Sequence, residues 1–77
     1  MRVDVRLGAG LARLSGTSNV SVDLHEGATV GDLMSTLDER YPGLERALPV
    51  VAGSHVPKSA TLEDGQKIAL LLPVAGG

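Results

Sequence analysis

The sequence predicts an α+β domain with a mixed β-sheet and one main helix packed on one face of that sheet. Two strand-like segments open the chain, a helix-like segment follows, and further strand-like segments close it. A hairpin, a helical crossover and a return to the sheet place the helix against one sheet face. The crossover also permits parallel pairing, so the sheet should contain both strand directions.

Alternation of residue types indicates the two opening strands. Charged and apolar residues alternate strictly from residue 2 to residue 7, and polar and apolar residues alternate again over residues 20–24. The inward positions are Val3, Val5, Leu7, Val20, Val22 and Leu24. Between the strands, residues 8–10 should break the first strand and residues 11–14 form one helical turn. We therefore expect an antiparallel hairpin.

The main helix is predicted to open at Thr29. Asp32 completes a Thr-x-x-Asp capping box, and its charge suits the positive end of the helix dipole. The apolar stripe at helical spacing consists of Val30, Leu33, Met34, Leu37 and Tyr41. Pro42 disfavours helical geometry at Tyr41, and a glycine follows it, so the helix should stop there. Apolar residues over 44–48 indicate a short second turn.

The second half of the chain returns to strands. Residues 50–52 are a predicted strand, residues 53–55 turn, and Val56 begins a brief return. A loop over residues 57–65 leads to a final strand over residues 66–72. The end of that strand is apolar on both faces, so the strand is either buried on both faces or exposes one face to a partner. If Ile68, Leu70 and Leu72 face the core, Leu71 faces the partner.

Composition narrows the functional classes. The 77 residues allow one domain, with residues 73–77 as a flexible C-terminal tail. A net charge of −2 and a single aromatic residue argue against nucleic-acid binding. No apolar run approaches the roughly 18 residues of a membrane helix, and no signal peptide opens the chain. The lack of cysteine fits a reducing compartment. We expect a cytoplasmic protein that binds neither nucleic acid nor membranes.

Side chains with catalytic potential do not converge in the sequence. His25 and His55 lie in predicted turns without metal-ligand spacing and are expected at the surface. Gly8 and Gly10 begin like a phosphate loop, but Arg13 occupies the third glycine of the dinucleotide fingerprint, which favours a plain turn. A chain this short can hardly enclose a pocket of several hundred Å³. We therefore expect no enzymatic pocket, metal or bound cofactor.

The remaining candidate is the segment Pro73-Val74-Ala75-Gly76-Gly77. In a chain this rich in glycine, a final Gly-Gly pair arises by chance at roughly 2%. Glycine lacks Cβ, so such a segment passes through a channel that any side chain would block. Pro73 keeps the segment out of the strand ladder. The reactive group is the carboxylate of Gly77, which becomes an acyl donor once it is activated, for example as an acyl adenylate.

Taken in order, these segments resemble the β-grasp sulfur-carrier proteins, the group that contains the small subunit of molybdopterin synthase and the thiamine-biosynthesis sulfur carrier. The resemblance covers essentially the whole chain. Its segments are residues 3–7, Leu11-Ala12-Arg13-Leu14-x-Gly16, Thr29-Val30-Gly31-Asp32-Leu33, Tyr41-Pro42-Gly43-Leu44, Leu62-x-Asp64-Gly65-x-x-Ile68 and Leu71-Leu72-Pro73-Val74-Ala75-Gly76-Gly77. The tail is the part that is specific to the family. The other segments are generic when taken singly and indicate the family only because they occur in this order. The resemblance implies a ubiquitin-like β-grasp fold.

The resemblance also implies a function. A ubiquitin-activating-type enzyme would use ATP to adenylate Gly77, which would become a thiocarboxylate that donates sulfur to a biosynthetic enzyme. The chain would be a sulfur donor or the small subunit of a molybdopterin synthase-type complex, not an enzyme by itself. Gly76 would give clearance, and Pro73, Val74 and Ala75 would position the tail. The apolar face of residues 68–72, including Leu71 and Leu72, would dock the partner.

The sequence departs from the family pattern in ways that bear on the pathway. Residues 51–56 lack the Asn-containing turn of many relatives, the last strand lacks aromatic residues, and one proline stands before Val74 where the molybdopterin-type tail often has two. The long loop over residues 8–19 favours the molybdopterin-like branch over the thiamine branch. Two alternatives stay open: a ubiquitin-like modifier conjugated to protein lysines, and a non-catalytic interaction domain.

Overall fold

The computed structural model describes residues 1–72, apart from the side chain of Glu45. The strands are β1 Arg2–Leu7, β2 Asn19–Asp23, β3 Leu48–Val51, β4 Ser54–His55 and β5 Lys67–Leu71. The helices are α1 Ala9–Ser15 and α2 Val30–Arg40, and a 3₁₀ turn covers Leu44–Arg46. The order of strand, strand, main helix, short strands and last strand is the order that the sequence predicts.

The strands form one mixed sheet in the order β2-β1-β5-β3-β4. β1 pairs antiparallel with β2 and parallel with β5, while β3 pairs antiparallel with β5 and β4. The predicted hairpin and the predicted mixture of strand directions are both confirmed. The last strand therefore lies in the middle of the sheet, between the first strand and β3.

The core lies on one face of this sheet, under α2. Burial alternates along β1, and the inward side chains pack against the apolar stripe of α2. The core comprises Val3, Val5, Leu7, Leu11, Val22, Val30, Leu33, Met34, Leu37, Leu44, Ala47, Leu62, Ile68 and Leu70. Val20, Leu24 and Tyr41, predicted to face inward, are half-buried at its margin. The prediction of one main helix on one sheet face is confirmed.

The ends of α2 follow from its local sequence. The backbone N–H of Thr29 donates to Asp32 Oδ2 at 2.9 Å, and Thr29 Oγ1 accepts from the N–H of Asp32 at 3.2 Å. This is the predicted capping box. At the other end, Tyr41 leaves helical geometry, and the N–H of Gly43 donates to Asp38 Oδ1 at 2.9 Å. The predicted start and stop of α2 are therefore both confirmed.

Helix α1 begins earlier than the sequence indicates. Residues 8–10 were expected to form a break, but α1 starts at Ala9 and contains Gly10. Gly8 stands in extended geometry as the N-cap, and its carbonyl accepts from the N–H of Ala12 at 2.8 Å. Gly8 and Gly10 lower the helix propensity of this segment, but α1 still forms because its contacts with the sheet stabilise it.

Strand β3 also begins earlier than predicted, at Leu48, and it includes Pro49. The carbonyl of Pro49 accepts from the N–H of Val56 at 3.0 Å, on the β4 side of the strand. The missing N–H of the proline faces the same side, so pairing with β5 is preserved. The turn to β4 has positive φ at Ala52 (51°) and Gly53 (81°). Such a turn favours Asn-Gly, which accounts physically for the Asn-containing turn expected in relatives.

Candidate functional site

The candidate site is the carboxyl end of β5, from which the chain continues to the predicted tail. Leu70 lies opposite Leu7 of β1, and Leu71 lies opposite Leu48 of β3. The carbonyl of Leu70 also accepts from the N–H of Gly8 at 2.9 Å. The strand is therefore held on both sides up to its last residue.

Two leucines at this end of the sheet are exposed. Leu71 is 43% exposed, which confirms its predicted outward orientation. Leu72 is 38% exposed and lies outside the core, so its expected core-facing orientation is wrong. The reason is that β5 ends at Leu71 and the side chain of Leu72 lies beside the backbone of Gly10 in α1. Both leucines are available to a partner.

The five predicted tail positions, Pro73, Val74, Ala75, Gly76 and Gly77, lie outside the described residues. Leu71 and Leu72 are the predicted site residues that the structure describes, and they are brought together with Leu48, Gly8 and Gly10. Sequence reasoning did not assign these three to the site. For Leu48 a signal existed, since Leu48 and Val50 alternate with Pro49 and Val51 along β3.

The face of the sheet opposite α2 is open, and we call it the open face. Its end next to Leu72 is apolar, because Leu48 and Leu71 form a cross-strand pair there. A groove of about 550 Å³ crosses its middle. It is an open groove on the surface and not the enclosed pocket that a chain of this length was expected to lack. Residues lining the groove include Asp4, Arg6, Ser21, Val50, Lys67 and Ala69.

Some charged side chains of the open face form hydrogen bonds or ion pairs within the protein, and others form no salt bridge. Ser21 Oγ donates to Asp4 Oδ1 at 2.9 Å, and Arg2 Nε lies 3.3 Å from Asp23 Oδ1. In the part of the chain that the structure describes, neither Arg6 nor Lys67 forms a salt bridge within 4.0 Å. The groove thus carries two cationic side chains, Arg6 and Lys67, next to the apolar side chains of Val50 and Ala69.

The two histidines are exposed, as predicted. His25 Nε2 lies 3.7 Å from Asp32 Oδ2, at the start of α2. The pKa of the Asp32 carboxyl lies below its ordinary value, mainly because it accepts the backbone N–H of Thr29; the Thr29 side chain and His25 add to this, and desolvation opposes it. Among residues 1–72, no three His, Asp or Glu side chains gather as they would around a metal ion.

No helix in the described part of the chain has the length and apolar character needed to cross a membrane.

Comparison with known proteins agrees with the fold and identifies the family. The model of the ThiS family matches residues 5–77. The molybdopterin synthase sulfur carrier subunit of Mycobacterium tuberculosis (strain ATCC 25618 / H37Rv) is 34% identical over 65 residues, which cover 79% of this chain and 78% of that protein.

Two solved structures extend the comparison. SAMP1 from Haloferax volcanii superposes with a TM-score of 0.85 at 28% identity, over 100% of both chains. The acronym denotes a small archaeal modifier protein. The complex of subunits 1 and 2 of the molybdopterin-converting factor from Helicobacter pylori 26695 matches with a TM-score of 0.71 at 23% identity, over 100% of both chains, and this likeness concerns the fold alone. The expected ubiquitin-like β-grasp fold is confirmed.

Proposed function

This chain belongs to the ThiS family of sulfur carriers, and on that premise we propose that it carries sulfur as a thiocarboxylate on Gly77. Like its relative from Mycobacterium tuberculosis, the chain is a carrier subunit. It is not an enzyme by itself. The observation that carries the proposal is the end of β5, which is held on both sides and leads directly into Pro73 and the Gly-Gly pair.

The proposed chemistry takes place on the carboxylate of Gly77. A carboxylate oxygen attacks the α-phosphorus of ATP in the active site of a ubiquitin-activating-type enzyme, and pyrophosphate leaves. A hydrosulfide equivalent then displaces AMP, which gives the thiocarboxylate. The sulfur next attacks an electrophilic carbon of the acceptor and displaces the leaving group on that carbon. Water then cleaves the resulting thioester, which leaves the sulfur on the acceptor as a thiol and regenerates the carboxylate. ATP is bound by the activating enzyme, and this chain binds no cofactor.

The open face supports docking of the partner enzymes. Leu48 and Leu71 form its apolar end, next to the point where the chain leaves the sheet. Arg6 and Lys67 line the groove in the middle of the open face and offer charge to carboxylates of a partner. Ile68 and Leu70 face the core, so within β5 the docking surface consists of Lys67, Ala69 and Leu71. The molybdopterin-converting factor from Helicobacter pylori, which is similar in fold, forms a complex of subunits 1 and 2, and this supports a second subunit as sulfur acceptor.

A pyrophosphate-exchange assay tests the adenylation step. The full chain should stimulate ATP–pyrophosphate exchange by the cognate activating enzyme, because the carboxylate of Gly77 is the attacking group. Deletion of Gly77 moves the terminal carboxylate back by one residue, to Gly76. Deletion of Gly77 should abolish the stimulation, while Glu39→Gln on the far side of the molecule should leave it unchanged. Exchange that persists without Gly77 would contradict the proposal. Partner binding that ignores the loss of Gly76 and Gly77 would favour a plain interaction domain.

A second candidate function is conjugation to protein lysines. The likeness to SAMP1, at 28% identity over the whole chain, supports it, because that protein is a modifier. Both functions begin with the same activated glycine and differ in the nucleophile that attacks it. Trypsin cleaves after Lys67, the last basic residue of the chain, so conjugation would leave residues 68–77 on the modified lysine. Tryptic peptides with this remnant, found by mass spectrometry in cells that express this chain and missing in cells that express the Gly77 deletion, would establish conjugation.

A further inference from the structure

Gly10 stands where its backbone does not require glycine. It lies inside α1 and is not among the residues with positive φ. Glycine in a helix is destabilising relative to alanine, because it has more conformational freedom to lose. A reason for this glycine must therefore lie in the space around it.

That space is occupied by Leu72. A Cβ at position 10 would lie 2.5 Å from Leu72 Cδ1, and the next nearest atoms, Cγ at 3.6 Å and Cβ at 3.9 Å, also belong to Leu72. Gly8 shows a weaker form of the same contact, since a Cβ there would lie 3.0 Å from Leu71 Cδ2. The last two side chains before the tail thus lie against the bare backbone of α1.

Gly31 in α2 provides an instructive contrast. A Cβ at Gly31 would lie 3.3 Å from the carbonyl oxygen of Lys58, which is backbone and cannot rotate away. At Gly10 the obstructing atom is the end of a flexible leucine side chain. A methyl group at position 10 should therefore be accepted by the fold, and Leu72 should be the residue that moves.

We propose that Gly10 is a positioning residue that seats Leu72 and thereby sets the point from which the chain continues into its last five residues. This inference rests on the proposed function, because the position of the exit matters only if an enzyme must receive Gly77. Leu72 is 38% exposed and immediately precedes Pro73 in the sequence, so the seat of Leu72 fixes the last described residue before the tail. Misplacement of a reacting group by about 1 Å costs as much as 100-fold in rate.

The test separates folding from positioning with Gly10→Ala in the full chain. Its Tm should stay the same or rise by up to about 5 °C, because alanine favours the helix. The kcat/KM for adenylation by the activating enzyme should fall about 10- to 100-fold. The nuclear Overhauser contact between the Leu72 methyls and the Hα of residue 10 should be present in the wild type and lost in the variant. Ala9→Gly, which lowers helix propensity without adding atoms near Leu72, should keep both the contact and wild-type kcat/KM.

The double variant with Gly10→Ala and Leu72→Ala supplies the rescue. Once Leu72 is shortened, the added methyl has nothing to displace, so the double variant should match Leu72→Ala alone. A wild type without the methyl contact, or a Gly10→Ala variant with wild-type kcat/KM, would overturn the inference. A clear fall in the Tm of Gly10→Ala would also overturn it, in favour of a structural role. If the wild-type chain is not adenylated at all, the proposed function fails, while the methyl contact still decides whether Gly10 seats Leu72.

Discussion

The two helices of this protein are built in opposite ways. Helix α2 has a complete capping box, an acidic residue in its first turn, a basic residue in its last turn and four buried side chains. Helix α1 has seven residues, contains Gly10 and buries Leu11 against the sheet. Within residues 1–72, no side chain caps the start of α1, where Gly8 stands.

The difference follows from what each helix touches. α2 covers the core face of the sheet, so its sequence favours helix formation and burial. The start of α1 borders the end of β5, where the bare backbone of Gly8 and Gly10 accommodates Leu71 and Leu72. We therefore expect α2 to contribute more to stability than α1. The sequence of α1 has a lower helix propensity, because it contains Gly10 next to Leu72.

Truncation of a buried leucine in α2 should have the largest effect. Leu37 is fully buried, so Leu37→Ala should lower the free energy of unfolding by about 2–5 kcal/mol, through lost burial and the cavity left behind. In α1, Leu14→Ala removes a side chain that is 64% exposed and should cost less than about 0.5 kcal/mol. Urea denaturation measures both. Equal losses would contradict the assignment of Leu37 to the core and of Leu14 to the surface.

Removal of the cap of α2 should have an intermediate effect. Thr29→Ala deletes the oxygen that accepts the N–H of Asp32 and should cost about 1 kcal/mol. In a domain of this size the Tm should fall by about 4–8 °C. Thr29→Ser keeps a hydroxyl acceptor and should stay close to the wild type in a thermal melt. A Tm of Thr29→Ala equal to that of the wild type would mean that packing alone holds the start of α2.

The cap should also make stability depend on pH. The pKa of Asp32 is lower in the folded chain than in the unfolded chain, because the carboxylate accepts the N–H of Thr29. Its stabilisation is present above the unfolded pKa, about 3.9, and is lost as the pH falls through the lowered folded pKa. Asp32→Asn should therefore flatten the acid side of the stability curve, whereas Ser35→Ala on the same helix should leave that slope unchanged. An identical slope in Asp32→Asn would contradict this role.

A charge at the exposed end of β5 should have the smallest effect on stability. Leu71→Asp should cost less than about 1 kcal/mol, because the side chain is 43% exposed and loses one cross-strand neighbour, Leu48. Its affinity for the activating enzyme should nevertheless fall about tenfold or more, as an anion enters an apolar contact. Ser35→Asp adds the same charge on α2 and should leave the affinity, measured by calorimetry, unchanged. Substantial unfolding of Leu71→Asp would show that Leu71 belongs to the core.

Local patterns were sufficient to predict most of the fold. The alternation over Arg2–Leu7, the Thr29–Asp32 capping box and Pro42 act between neighbours in sequence, so their structural consequences could be read directly. The inclusion of Pro49 in β3 was harder to predict, because it depends on which side of the strand its missing N–H faces.

The candidate site was predicted only in part. The outward orientation of Leu71 follows from the period of a strand, but the position of Leu72 depends on α1, far away in sequence. The pair of Leu48 and Leu71 likewise depends on the register between β3 and β5. Contacts of this kind arise from the tertiary fold, and no local pattern of the sequence contains them.

The central claim is that Gly77 carries sulfur, and intact mass spectrometry tests it most directly. The full chain is incubated with its activating enzyme, ATP and a sulfide source, and a sample without ATP serves as the control. The account predicts an ATP-dependent mass increase equal to the difference between sulfur and oxygen, located on Gly77 by fragmentation. An unchanged mass, in a reaction where the same enzyme converts its established carrier, would contradict the account.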